Sequence, residues 1–169
     1  MTLKSFLFFG FICTSFGSSN AQQIVDRYLN GNKKIIGQYD DRGKKVGRWF
    51  ELDSLNQDTI RILTYANGQP NGPFKYVHIG TNLNSKYQTS QLYNYSDPQK
   101  EKFTITGTLK NNLFDGPVVK YYVTGNVHYK ANYRSGLKEG IYKEFHDNGH
   151  LRYLKTYSQG KLHGNWQQF

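Results

Sequence analysis

Cysteine, methionine and proline are scarce in this chain of 169 residues, with one, one and four copies respectively. The lone Cys13 excludes an intrachain disulfide and any metal site built from several thiolates. Acidic residues are few beside basic ones, 12 Asp+Glu against 22 Lys+Arg. Hydrophobic residues make up 37% of the chain and aromatic residues alone 16%, so tyrosine and tryptophan carry much of the apolar surface that folding can bury. That balance argues against a helical bundle with an aliphatic core and against a membrane channel. No G-x-S-x-G occurs, and no glycine-rich segment ends in G-K-[ST], so nucleophilic and phosphoryl-transfer chemistry have no visible seat.

The first residues read as an address. Lys4 opens a positive start, Phe6 to Phe16 is an eleven-residue apolar run, and Ser19-Asn20-Ala21 puts small residues where a signal peptidase reads. The expectation is a helical secretory signal over 1–21, cut before Gln22, and a periplasmic or extracellular mature protein. A membrane span needs about 20 apolar residues, roughly twice this run. Cys13 follows Phe11-Ile12 inside the run, the wrong setting for a lipid anchor.

Loss of the leader removes the only cysteine and, of the charged residues, Lys4 alone, so the basic excess stays high. Nucleic acid is the first partner such a charge suggests. An exported protein rarely meets it, and these charges are spread along the chain, as on a solvated basic surface.

A period near 24 residues organises the rest. Tyr133, Gly136, Gly140 and Tyr142 recur as Tyr157, Gly160, Gly164 and Trp166, and the Thr124-Gly125 turn recurs as Asn148-Gly149. Upstream, Tyr65, Gly68, Gly72 and Phe74 repeat the spacing, and Tyr39, Gly43, Gly47 and Trp49 repeat it with one extra turn residue. Asn112 stands in for the first glycine before Gly116, a replacement that tolerates positive φ. Two turns joined by two strands make a β-hairpin unit, with G-x-x-x-G as the reversal. Two residues beyond each second glycine lie Trp49, Phe74, Val118, Tyr142 and Trp166, expected to stack from hairpin to hairpin as a ladder of mostly aromatic side chains. Phe103, Ile105, Gly107 and Leu109 fall on the strand register of Val127, Tyr129, Ala131 and Tyr133. The predicted fold is all-β: one elongated, twisted, open antiparallel array over 22–169, with helix confined to the leader and 23–29.

These residues resemble the MORN repeat variant family, whose units read approximately Y-x-x-G-x-x-x-G-x-W-x-x-Y followed by N-G-x-L. The likeness covers most of 28–169, is strongest over 116–169 and is poorest at 53–59, where Ser54-Leu55-Asn56 replaces the N-G turn. It implies a meandering hairpin array used for protein contact or scaffolding. It also brings in the YwqK-type antitoxins of toxin–antitoxin systems, from which the export signal here differs.

Between Gly72 and Gly116 the interval is twenty residues longer than elsewhere, and the polar segment 80–101 holds Tyr87, Tyr93 and Tyr95. It is either a disordered excursion or a binding loop. His146 and His150 have the i, i+4 spacing of helical metal ligands, but Asp147-Asn148-Gly149 between them makes a hairpin turn, so no metal or cofactor is expected. Asp40-Asp41 reads as an Asx turn, and Glu139 with Glu144 is a carboxylate pair only if the fold assembles it. The leading expectation is an exported, non-catalytic repeat protein that binds a protein partner or a second copy of itself. An envelope glycan, or a toxin neutralised by an immunity-like chain, is the alternative, and hydrolysis a third. Candidate contact residues are Tyr87, Tyr93, Tyr95, Trp166 and Phe169, the last two on a strand Asn165 to Phe169 expected to pair with 150–157 and leave its other edge open.

Overall fold

The computed structural model describes residues 23–29, 33–53, 59–78 and 103–169. The expected signal segment 1–21 and the expected excursion or binding loop at 80–101, with Tyr87, Tyr93 and Tyr95, lie outside the described residues. The chain runs through β1 (Gln23–Leu29), β2 (Lys33–Tyr39), β3 (Lys45–Asp53), β4 (Thr59–Ala66), β5 (Gln69–His78), β6 (Phe103–Lys110) and β7 (Leu113–Phe114). It continues through β8 (Gly116–Tyr122), β9 (Val127–Arg134), β10 (Leu137–Phe145), β11 (Leu151–Ser158), β12 (Lys161–Leu162) and β13 (Gln167–Gln168). All thirteen belong to one antiparallel sheet, ordered β1-β2-β3-β4-β5-β6-β8-β9-β10-β11-β12, with β7 on β6 and β13 on β11. The sheet is open, and the expected all-β hairpin array is the observed one. Gln23–Leu29, expected as helix, is instead a strand paired along its whole length with β2. Its alternation of Ile24, Asp26 and Tyr28 with Val25, Arg27 and Leu29 suits a strand laid against an open edge better than an isolated helical turn.

In the units around Gly68–Gly72 and Gly136–Gly140 the two glycines of G-x-x-x-G do different work. The chain reverses over two residues ending at the first glycine: Ser135 (φ 47°) and Gly136 (φ 85°) both sit in the left-handed region, the signature of a type I′ hairpin turn. Asn111 and Asn112 manage the same turn without glycine, at 50° and 66°. The second glycine lies inside the following strand, at a bulge. Tyr65 pairs with Pro70 and Leu63 with Phe74, so a step of two residues on β4 faces a step of four on β5. The same mismatch separates Tyr133↔Lys138 from Ala131↔Tyr142, around Gly140 at φ 77°. The expected single G-x-x-x-G reversal is thus a turn plus a bulge, and bulges bend a strand and deepen its twist.

Successive units are tied end to end by a relay of backbone hydrogen bonds. The N–H of Gly68 donates to the carbonyl of Lys45 (3.0 Å), Asn112 to Pro70 (2.8 Å), Gly136 to Phe114 (2.8 Å) and Gly160 to Lys138 (2.9 Å). In each case the acceptor lies two residues past the previous unit's turn. Acidic side chains reinforce two joints: Asp115 accepts from the N–H of Ser135 at 3.1 Å, and Glu139 from that of Gln159 at 2.8 Å. At the opposite side of the sheet the 122–126 and 146–150 turns are joined by Asn126 Nδ2 donating to the Asp147 carbonyl and by Thr124 bonding Asp147.

Residues directly opposite in an antiparallel pair share a face. One face therefore carries Trp49, Leu63, Phe74, Gly107, Val118, Ala131, Tyr142 and Lys155 on consecutive strands. Beside it runs a second row, Glu51, Arg61, Tyr76, Ile105, Lys120, Tyr129, Glu144 and Tyr153. The core is centred on this inner face, from Leu63 to Tyr142. Small residues in the first row make room for their neighbours: a Cβ on Gly107 would meet Val118 Cγ2 at 2.9 Å and both Phe74 Cε1 and the Pro117 carbonyl at 3.0 Å. Trp49 lies against Gly37 still more closely.

Candidate functional site

The inner face changes character toward its C-terminal end. Four rungs are buried, with Trp49, Phe74, Val118 and Tyr142 exposed by 5, 4, 0 and 8%. Trp166, expected beside an open edge, is 50% exposed. The reason is geometric: each inner rung has a strand on both sides, whereas β12 and β13 pair only with β11. Residue for residue β11 is half-buried throughout.

Cations are interleaved with the rings. Lys138 Nζ lies 4.8 Å from the Tyr142 ring centre and 5.0 Å from that of Tyr157. Lys155 Nζ lies 4.4 Å from Tyr153, 5.9 Å from Tyr142 and 6.0 Å from Trp166. Two ammonium groups thus approach one ring, Tyr142, within 6 Å. Among the described residues neither has a carboxylate at ion-pair distance. Glu144, the nearby acid, is engaged by the Tyr142 hydroxyl at 2.8 Å and by Arg152 at 3.3 Å. Burial holds the Lys138 ammonium below its ordinary pKa, Lys155 pushes in the same direction, and Glu144 partly opposes both.

Compared with known proteins, the chain matches no protein-family model and no curated protein. The site must therefore be read from its own geometry.

At the other end, Lys45 occupies the position in its unit that Lys138 occupies in its own, and covers Trp49 at 4.3 Å and Tyr65 at 4.9 Å. The lysine two residues past the first glycine is thus a recurrent ring cover, and the neighbouring Lys155 distinguishes the C-terminal cluster. In the same register the row carries Leu63, Gly107 and Ala131. In the sequence, the recurrence of Lys45 at the place equivalent to Lys138 is the available signal for this cluster.

Of the expected contact residues, Trp166 and Phe169 lie at the C-terminal edge, 50% and 64% exposed, with Leu162 at 50% close to them in the chain. Trp166 meets Tyr153 at 5.9 Å between ring centres, and the Phe169 N–H donates to the Arg152 carbonyl, so the expected pairing of 165–169 with 150–157 holds at Gln167–Gln168. His146 and His150 are exposed and close a turn through their backbones, His146 N–H to the His150 carbonyl at 2.9 Å. Asp40 Oδ1 accepts from the N–H groups of Arg42 and Lys44, the expected Asx turn. Glu139 and Glu144 have separate partners, a turn amide and the Tyr142–Arg152 pair. Among the described residues no group of His, Cys, Asp and Glu has the arrangement of a metal site, and no helix is long and apolar enough to cross a membrane.

Proposed function

We propose that this chain is an exported, non-catalytic interaction module of the MORN-variant kind, which docks a protein strand or a second copy of itself at its C-terminal edge. The observation that carries the reading is the mismatch between that edge and the internal joints. At every internal joint an apolar rung, a ring at all but Val118, is covered by the next strand and a carbonyl two residues past the turn accepts from the next unit. At the edge the equivalent ring is Trp166 and the equivalent carbonyl is that of Leu162, with Phe169 beside them. An incoming strand finds there the docking features the array uses internally, and main-chain pairing supplies affinity while Trp166 supplies register.

The test is sedimentation of the mature protein at micromolar concentration beside Trp166→Lys, with crosslinking in the native envelope. Self-association, or one captured protein, that disappears in the variant supports the reading. Monomers in both samples with unchanged capture refute it.

A further inference from the structure

We infer that the Lys138–Lys155 cluster on the inner face is a binding site for a carboxylate-bearing saccharide, such as a uronic-acid polymer. This site uses the face of β10 and β11 where the strand-edge reading uses an edge, and the two share only Trp166.

Three observations converge. The first is charge: Lys138 and Lys155 have no carboxylate at ion-pair distance among the described residues, and the nearby Glu144 is already engaged by Arg152 and Tyr142. Two partly desolvated ammonium groups converging on the Tyr142 ring repel each other, and an anion seated between them relieves that repulsion and forms charge-assisted hydrogen bonds. The second is surface: Tyr153, Tyr157 and Trp166 flank the cations as half-buried or exposed rings, within 6 Å of one or other ammonium. Apolar platforms with a few convergent polar groups are the usual make-up of a small-ligand site. The third is what the face withholds. Within a sheet the backbone N–H and C=O groups are spent on neighbouring strands, so a peptide laid across β10 and β11 finds no main-chain partners. A sugar ring needs none: its C–H face rests on an aromatic ring while its carboxylate meets the lysines.

The experiment is a calorimetric titration of the mature protein with an oligogalacturonate, a neutral oligosaccharide of equal length and a polyglutamate peptide of equal charge. The expected result is that the oligogalacturonate binds about tenfold or more tighter than either control, an amount ordinary for paired charges. Lys155→Gln and Tyr153→Ala should each weaken it about tenfold, Lys155→Arg should restore most of the loss, and Lys130→Gln on the opposite face should leave it unchanged. Binding should also take up protons at alkaline pH, because the carboxylate offsets what Lys155 and burial do to Lys138, with Glu144, Tyr142 and Tyr157 the other titratable groups facing it. Equal affinity for the neutral oligomer, polyglutamate binding as tightly, equal weakening by Lys130→Gln, or no binding at all would each overturn the assignment. Far-UV circular dichroism of every variant separates loss of the site from loss of the fold.

Discussion

The two tryptophans form an internal control for the ladder, because they hold equivalent places in their units and differ mainly in what covers them. Trp49 is 5% exposed and Trp166 50%. An aromatic side chain buries roughly 150–250 Å² when fully covered, so Trp49 hides about 100 Å² more than Trp166. At about 25 cal/mol per Å² this is about 2.5 kcal/mol. Trp49→Ala also opens a cavity over Gly37, which adds to the loss. Against this, the Trp49 indole N–H is buried without a hydrogen-bond partner, and its removal returns about 1 kcal/mol or more. Trp49→Ala should thus cost about 2 kcal/mol more than Trp166→Ala. Urea midpoints by far-UV circular dichroism, on monomeric samples, read the difference. Equal midpoints, or a larger loss at Trp166, would refute the assignment of stability to rung burial.

Gly107→Ala should destabilise by about 1–2 kcal/mol although its backbone is ordinary, because the new methyl meets the Pro117 carbonyl at 3.0 Å and a backbone atom cannot step aside. Phe74→Leu in the same chain should recover part of the loss, and thermal melts of the single and double variants check it. Alkali gives the second expectation. Burial raises the phenol pKa of Tyr65, Tyr76 and Tyr133 above the ordinary 10.0, with Arg61 opposing at the first two and a Tyr129 hydrogen bond at the third. Each then contributes stability that is complete below pH 10 and lost as pH rises through the raised folded value. Lys138, with its pKa lowered, runs the other way and gains as pH climbs toward the ordinary 10.5. Three groups outweigh one, so melting temperature should fall above pH 10, and less steeply in Tyr133→Phe; a flat or rising profile contradicts this.

The period, the turns and the rungs were legible because each is a local demand written at a fixed spacing. A turn with positive φ calls for glycine or asparagine wherever it falls, and Asn112 was readable as such from sequence alone. The division of labour between the paired glycines was not legible, since a turn and a bulge ask for the same residue. Nor was the relay from Gly68, Asn112, Gly136 and Gly160 to the preceding unit: its donors and acceptors are backbone atoms that every residue possesses. The hollow at Gly107 looked like an ordinary interruption of the strand pattern until Phe74 and Val118 were placed on either side of it. Trp166, expected beside an open edge, is covered less than the inner rungs because equivalence in sequence does not carry equivalence of neighbours. The meeting of Lys155 with Lys138, seventeen residues away, was not legible, because only the β10–β11 register brings both to the Tyr142 ring.

The pairing of rings with hollows also bears on how such a chain avoids assembling wrongly. Near-identical hairpins can exchange neighbours during folding, and turns this similar would not by themselves tell one unit from the next. Trp49 fits over Gly37, and Phe74 and Val118 close over Gly107. A hairpin brought beside the wrong neighbour would set a ring against Leu63 or Lys155, or leave a hollow unfilled, and would lose the contact that closes the joint. The irregular sizes along the row therefore act as a sequence of keyed connectors, and they number the units in the order the chain must follow.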